Sequence, residues 1–387
     1  MSVFQALATL NQNILNTAGA QKASDNLTLV IADENIEIAE ISALASHCQC
    51  FVLTNRKDLA LACGVEHIPV AFTDFEFNAI SAFFDNKTEP NFNTIIYRVS
   101  KERVLVHHIF NNISPLMHEN TRLLIGGKKN EGIKGYHQKL LKHFHYSGTL
   151  IKDGDRYTSV LKPSTHPSDI QPQLLDDKDY ASVREIEGKS TTGKNNTIRF
   201  ASKPGLYGWD KIDQGSTFLI ETLFSHFKEH TNVYTFESLL DLGCGYGYLS
   251  LSIAGAIKAK SEAVNNLKNI CATDNNAAAL RCCELNLTRA LEEHCVDFEV
   301  VADDCAASIK KRFDLILCNP PFHMGFEQTP GLSEKFCSSI AKHLLPQGSA
   351  FVVVNSFIPF ERLAKLRFSN IKLLANNNQF KVLELRL

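Results

Sequence analysis

Ser238-Leu239-Leu240-Asp241-Leu242-Gly243-Cys244-Gly245-Tyr246-Gly247-Tyr248-Leu249-Ser250-Leu251-Ser252-Ile253-Ala254 reads as a buried strand, a glycine turn and the start of an apolar helix. At such a junction the backbone can approach a ligand closely, with a helix N-terminus facing it. The dinucleotide pattern G-x-G-x-x-G fails, because Tyr248 stands where its third small residue belongs. The stretch instead fits D-x-G-x-G-x-G. Downstream, Asn269-Ile270-Cys271-Ala272-Thr273 forms the next strand and ends at Asp274. A carboxylate at that tip can accept both hydroxyls of a ribose, and it can equally begin the helix that follows Asn275. The strand Phe298-Glu299-Val300-Val301-Ala302 then leads to Asp303-Asp304.

The chemistry is concentrated in Phe313-Asp314-Leu315-Ile316-Leu317-Cys318-Asn319-Pro320-Pro321-Phe322-His323. An apolar strand runs into two prolines, which end the sheet and hold the backbone extended. The Asn319 side chain and the Pro320 carbonyl are thereby offered as acceptors at one place, with the Phe322 ring alongside. This arrangement suits a flat group bearing an exocyclic amine: two acceptors orient it and the ring stacks on it. No strong general base is evident beside it.

The first half alternates strand-like and helical segments, with Leu27–Ala32, Cys50–Thr54, Thr94–Arg98 and Arg122–Gly126 reading as buried strands of a parallel α/β sheet. The first of these ends in Asp33-Glu34-Asn35, without glycine, so no cofactor cradle is expected there. Lys162-Pro163-Ser164-Thr165-His166-Pro167 and Gly188-Lys189-Ser190-Thr191-Thr192-Gly193 are turn-rich and polar. The expected division is a first domain at 1–155, a linker at 156–195 and a second domain at 196–387. Gly188-Lys189-Ser190 is not a P-loop, since Val183 occupies the position of the required earlier glycine.

Length and composition bound the remaining possibilities. A chain of 387 residues implies two to three domains, and 44% hydrophobic with 21% charged residues is ordinary globular composition. Forty Lys+Arg against 42 Asp+Glu exclude a globally cationic nucleic-acid binder, so contact with RNA must come from a local patch. The start has no basic flank leading into an apolar block, and a cytoplasmic protein without a membrane span is expected. The 11 cysteines are odd in number and several lie in apolar segments, which fits reduced thiols rather than a disulfide framework. Cys48 and Cys50, with His47 and Cys63 nearby, lack the second ligand pair of a zinc site, and no metal is expected.

The D-x-G-x-G-x-G loop resembles the first motif of S-adenosylmethionine (SAM)-dependent methyltransferases, and Asn319-Pro320-Pro321-Phe322-His323 resembles the N-P-P-F-H of ribosomal RNA guanine-N2 methyltransferases. The lead-in Lys203-Pro204-Gly205 to Leu206, then Asp213-Gln214-Gly215-Ser216, is similar to the same group, as are Val354–Phe360 and Phe380–Leu383. The best match is the ribosomal RNA small subunit methyltransferase C family. It covers about residues 200–387 strongly and the first half only in layout. The chain departs from that pattern in Tyr207-Gly208-Trp209, where Phe-Ser-Arg is usual.

The resemblance implies two tandem Rossmann-like class I SAM-dependent methyltransferase domains of α/β class, the N-terminal one degenerate and without a cofactor site. It implies methyl transfer from SAM to the exocyclic N2 of a guanine in small-subunit (16S) ribosomal RNA. Large-subunit (23S) RNA, a protein glutamine, adenine N6 and a non-catalytic RNA-binding scaffold are the alternatives. SAM is expected at Asp241, Gly243, Cys244, Gly245, Gly247, Asp274, Asn275, Asp304 and Asn319, with Asp304 favoured over Asp303 for the adenine amino group. The base is expected at Asn319, Pro320, Pro321, Phe322 and His323, and the catalytic set is Asn319, Pro320 and Phe322. The partner is ribosomal RNA, within the small subunit, and the protein is expected to act as a monomer. Lys128, Lys129, Lys134, His137, Lys139, Lys142 and His143 form a cationic segment that could hold RNA.

Overall fold

A computed structural model describes residues 1–17, 26–84, 90–164, 172–189, 197–230, 234–321 and 331–387. The chain divides into two compact units, Met1–Ala181 and Ser182–Leu387.

The first unit runs α1 (Val3–Thr17), β1 (Leu27–Ala32), α2 (Ile38–Ala45), β2 (Gln49–Thr54), α3 (Lys57–Val65), β3 (Val70–Phe72), α4 (Asn78–Phe83), β4 (Thr94–Arg98), α5 (Arg103–Ile113), β5 (Arg122–Lys128), α6 (Ile133–His143), β6 (Tyr146–Asp153) and β7 (Arg156–Pro163). The strands lie side by side in the order β3-β2-β1-β4-β5-β7-β6. The central strands pair in parallel and are buried on both faces, which explains their continuous apolar runs. The sheet is mixed rather than wholly parallel, because β7 pairs antiparallel with both β5 and β6.

Arg156–Pro163 therefore corrects the expected linker at 156–195. Its inward residues Tyr157, Ser159 and Leu161 alternate along a strand and are buried. The first unit extends to Ala181, and the second opens on the antiparallel pair β8 (Arg184–Lys189) and β9 (Thr197–Ser202).

The second unit continues with α7 (Gln214–Glu229), β10 (Ser238–Leu242), α8 (Tyr248–Lys258), β11 (Asn269–Asp274), α9 (Ala277–Leu291), β12 (Asp297–Ala302), β13 (Phe313–Cys318), α10 (Leu332–His343), β14 (Leu344–Asn355), α11 (Phe360–Ala364), β15 (Asn370–Asn376) and β16 (Phe380–Arg386). Its main sheet has the order β12-β11-β10-β13-β14-β16-β15, the same arrangement as the first unit, strand for strand. Apolar clusters fill both faces, one against α7, α8 and α9 and the other against α10 and α11. In such open sheets ligands bind at the carboxyl ends of the strands where the order reverses. Here that point lies between β10 and β13.

Candidate active site

One register row assembles this edge. Leu242 is level with Thr273 of β11 and with Cys318 of β13, and Asp274 is level with Ala302 of β12. The next residues along each strand are therefore neighbours: Gly243, Asp274-Asn275, Asp303 and Asn319. Segments distant in sequence are brought to one place by strand pairing alone.

The glycine loop is shaped by left-handed backbone at Gly243 (φ +78°), Gly245 (φ +54°) and Gly247 (φ +89°), conformations that other L-residues adopt at a cost. Gly243 and Cys244 both donate their N–H to the Thr273 carbonyl, at 2.9 and 3.0 Å. A Cβ on Gly247 would lie 2.8 Å from Cys283 Sγ, so the loop packs directly on α9. A Cβ on Gly245 would meet nothing within 4 Å, which leaves open space above that peptide. Asn286 braces the loop from below. Its Nδ2 donates to the Tyr246 and Ala201 carbonyls at 2.7 and 2.9 Å, and its Oδ1 accepts from Ala201 N at 2.6 Å. Cys244 is buried, and a hydrogen bond with Cys283 together with burial holds its thiol well above the usual range, so it is inert lining.

Two carboxylates frame the loop. Asp241 is fully buried, and its Oδ2 accepts from Ser250 Oγ at 2.6 Å and Ser250 N at 3.1 Å. Its Oδ1 is buried with no hydrogen-bond partner, and burial pushes the group up to about 6. Asp274 accepts from Gly245 N at 2.9 Å through Oδ2 and from Asn276 N at 2.9 Å through Oδ1, and burial likewise raises it. A carboxylate oxygen has two lone pairs, so each keeps acceptor capacity for a hydroxyl. Asn275 is half-buried beside it. Open space over Gly245, an unpaired buried acceptor at Asp241 and residual acceptors at Asp274 fit the polar ends of the SAM expected from the sequence.

The two acidic residues after β12 differ in role. Asp303 is buried and spends its carboxylate on Ser308 N, Ser308 Oγ and Asp304 N at 2.9, 2.8 and 2.8 Å. Asp304 is half-buried and ion-paired with Lys335 of α10.

Asn319 is half-buried, Pro320 buried and Pro321 exposed. Phe322 and His323 lie outside the described residues. The Asn319 Nδ2 donates to Asp213 Oδ2 and to Ser216 Oγ, each at 2.8 Å. Asp213 also caps α7, accepting from Ser216 N at 2.8 Å. Gly215 packs closely between them: a Cβ there would lie 3.1 Å from Asp213 Oδ2, 3.2 Å from Phe380 Cε1 and 3.4 Å from Asn319 Nδ2. An ionised carboxylate only accepts, so it selects the NH2 side of the amide. The Asn319 Oδ1 is thereby turned away from Asp213 and left as an acceptor.

Sequence reasoning noted the Asp213–Ser216 stretch as a motif without giving its residues a role. A local signal existed, since Asp three residues before Ser at a helix start is a capping pattern. The contact with Asn319 has no local signal. Trp209, in the segment that departs from the family pattern, stacks under the Arg184 guanidinium at 5.2 Å, and Tyr207 is exposed.

Residues 197–384 match the methyltransferase small domain family. Ribosomal RNA small subunit methyltransferase C of Shewanella pealeana is 27% identical over 76% of this chain and 77% of its own length. The protein of the same name from Shewanella oneidensis is 28% identical over 79% of this chain and 81% of its own. The chain resembles the ribosomal RNA small subunit methyltransferase C family. A solved structure of the T. Thermophilus 16S rRNA N2 methyltransferase RsmC, in complex with AdoMet and guanosine, has a TM-score of 0.71 at 19% identity, covering 97% of this chain and 91% of that one. That likeness extends over both units and establishes the fold: two tandem methyltransferase-like domains, with the methyltransferase small domain in the second.

In the first unit the equivalent edge carries other groups. Asp33 Oδ1 accepts from Asn35 N and Nδ2 at 2.9 and 3.0 Å. Arg98 is buried and donates to Glu131 Oε1 at 2.6 Å and to the Val99 carbonyl at 2.5 Å. Several cations of the segment on this unit are engaged within it. Lys139 turns onto His107 Nε2 at 2.7 Å, Lys134 lies over the Tyr157 ring at 4.9 Å, and His137 is buried. Lys128 is 3.8 Å from Asp155, and Lys129 and Lys142 remain exposed. Among the described residues no helix is long and apolar enough to cross a membrane.

Proposed function

We propose that this protein transfers a methyl group from SAM to the exocyclic N2 of a guanine in 16S ribosomal RNA. The observation that carries this reading is the Asn319 amide, whose NH2 is held by Asp213 and Ser216 so that its oxygen is left to accept from an amine. The names of the curated relatives and their length match support the choice of RNA class.

SAM, when bound, supplies a methyl group on a positively charged sulfur. Gly245 leaves open space for it, Gly243 and Gly247 let the loop pack on Phe336 and Cys283, and Asp241 and Asp274 offer acceptors to its polar ends. Asn319 Oδ1 and the Pro320 carbonyl each accept one hydrogen of the guanine amine. That fixes the plane of the N–H bonds and turns the nitrogen lone pair toward the donor. The family resemblance assigns Phe322 to stacking on the base, with Pro321 and His323 as further base-binding residues. The base must leave its stack to reach this edge, which is easiest in unpaired RNA. One proton leaves the amine after transfer, to water or a backbone carbonyl.

The substrate is RNA within the small subunit, the protein acts in the cytoplasm as a monomer, and the first unit is a degenerate copy that has no cofactor site. Asp304 receives the adenine amino group, with Asn275 beside the ribose and Cys244 lining the loop.

The test offers labelled SAM and purified protein to naked 16S RNA, assembled small subunits and large subunits, with Asn319→Ala as control. Label in small-subunit RNA that is released as N2-methylguanine supports the reading. Label confined to large subunits would move the substrate to 23S RNA, and no label in any RNA would defeat the enzymatic reading.

A further inference from the structure

His226, Glu229 and His230 stand one turn apart on the last turns of α7, away from the glycine loop, and one ligating atom from each lies within 4.8 Å of the others. Counting 1.5 Å per residue from Ser216, the cluster is roughly 15 to 21 Å along the helix from the Asn319 contacts. It belongs to the other end of the sheet, where Tyr234 and Glu384 pack.

The hydrogen bonds fix the tautomer of each histidine. The Tyr234 hydroxyl donates to Glu384 Oε1 at 3.0 Å and accepts from Arg386 Nη2 at 3.0 Å. Its single proton is thus committed, and its 2.7 Å contact with His226 Nε2 must be donated by the imidazole. His230 Nδ1 donates to the His226 carbonyl at 2.9 Å. Both rings therefore carry their proton on the nitrogen bound to protein, which leaves lone pairs on His226 Nδ1 and His230 Nε2. The rings lie 4.2 Å apart. A ring nitrogen held by a carbonyl or by a tyrosine–carboxylate pair is the usual support behind a metal-ligating histidine. His226 is buried against Tyr234 and Phe351, which fixes its ring in place. Glu229 is exposed and free to swing in as an oxygen ligand. The helix C-terminus adds partial negative charge at the same place. Arg386 is ion-paired there with Glu384, at 2.7 Å.

We propose that His226, Glu229 and His230 form a binding site for a divalent transition metal of the zinc class. Two imidazoles and one carboxylate, with water as the fourth ligand, make a tetrahedral N2O set. The site is structural: it clamps the end of α7 to β16 through Tyr234 and Glu384, and the methyl-transfer residues do not touch it.

The experiment uses full-length protein stripped by chelator and titrated with zinc sulfate against a colorimetric chelator, with thermal unfolding followed in parallel. One equivalent bound and a raised Tm are expected for the native protein. His230→Gln should lose that equivalent while keeping the Tm of the stripped protein. Tyr234→Phe should weaken binding about 10-fold or more by freeing the His226 tautomer. Cobalt substitution should give d–d bands without thiolate charge transfer, which separates this site from the cysteines. No bound equivalent, a thiolate spectrum, or a His230→Gln variant that binds as the native protein does would each overturn the proposal.

Discussion

The Asn319 amide nitrogen donates to Asp213 Oδ2 at 2.8 Å, across 106 residues of chain. The residue that faces the substrate is thus oriented by the N-cap of a helix that precedes it. Because the cap itself needs only an acceptor, Asp213→Asn keeps the helix start but loses the charge that selects the amide's NH2 side. We expect kcat to fall about 10- to 100-fold, the size of a lost hydrogen bond to a charged group, with an unchanged Tm. Steady-state rates on RNA and thermal unfolding check both halves. A rate equal to the native enzyme would show that the amide orients itself.

Asp241 makes stability depend on pH in an unusual direction. Its carboxyl, raised to about 6 by burial in the folded protein, lies above an ordinary carboxylate near 4, so folding favours the protonated form. The stability it contributes is fully present below about pH 4 and is lost as pH rises through about 6. That difference corresponds to about 3 kcal/mol. Asp241→Asn should therefore gain up to about that much relative to the native protein between pH 4 and 8, at the cost of SAM affinity. Urea unfolding across this range measures the difference. A constant gap between the two proteins at all pH values would reject the assignment.

Gly245 and Gly247 should separate binding from folding. In Gly247→Ala the methyl group meets Cys283 Sγ at 2.8 Å on left-handed backbone, and a loss of about 1–3 kcal/mol in stability is expected. Gly245→Ala meets no protein atom within 4 Å and should cost about 1 kcal/mol through its backbone alone. Its larger effect falls on SAM binding, since the methyl group enters the open space over the loop. Calorimetric titration with SAM beside thermal unfolding distinguishes the two variants.

The first unit has its own test in Arg98 and Glu131, whose side chains are 7% and 1% exposed. Arg98→Met strands a buried carboxylate and should destabilise that unit by about 3–5 kcal/mol. Adding Glu131→Gln removes the charge while keeping an acceptor for Lys128 N, and most of the loss should return. Denaturant unfolding of the single and double variants reads this out. An equal loss in both would mean that the guanidinium acts through packing.

Sequence reading reached the elements whose signals are local. The strand, glycine turn and helix at Ser238–Lys258 lie where periodicity and glycine spacing place them, and Asn319 follows β13 as the two prolines require. Three features escaped it for physical reasons. Arg156–Pro163 puts Ser159 on its buried face, and a polar residue there breaks the apolar alternation that marks a strand. Lys139 counts as a surface cation by composition, whereas its ammonium folds back onto His107. The Asp213–Asn319 bond is tertiary, and no spacing rule connects residues so far apart.

The shared row of Leu242, Thr273 and Cys318 also bears on how such a chain can change length. Distances across the site depend on strand pairing, so the contact between Gly245 and Asp274 is not set by the length of the connection from α8 to β11, which packs Ala263, Val264 and Leu267 into the core. A single residue inserted inside β13 would instead shift Asn319 off its row and turn its side chain to the opposite face. Within this unit, a change of length in an exposed loop leaves that row in register, and an indel within a central strand breaks it.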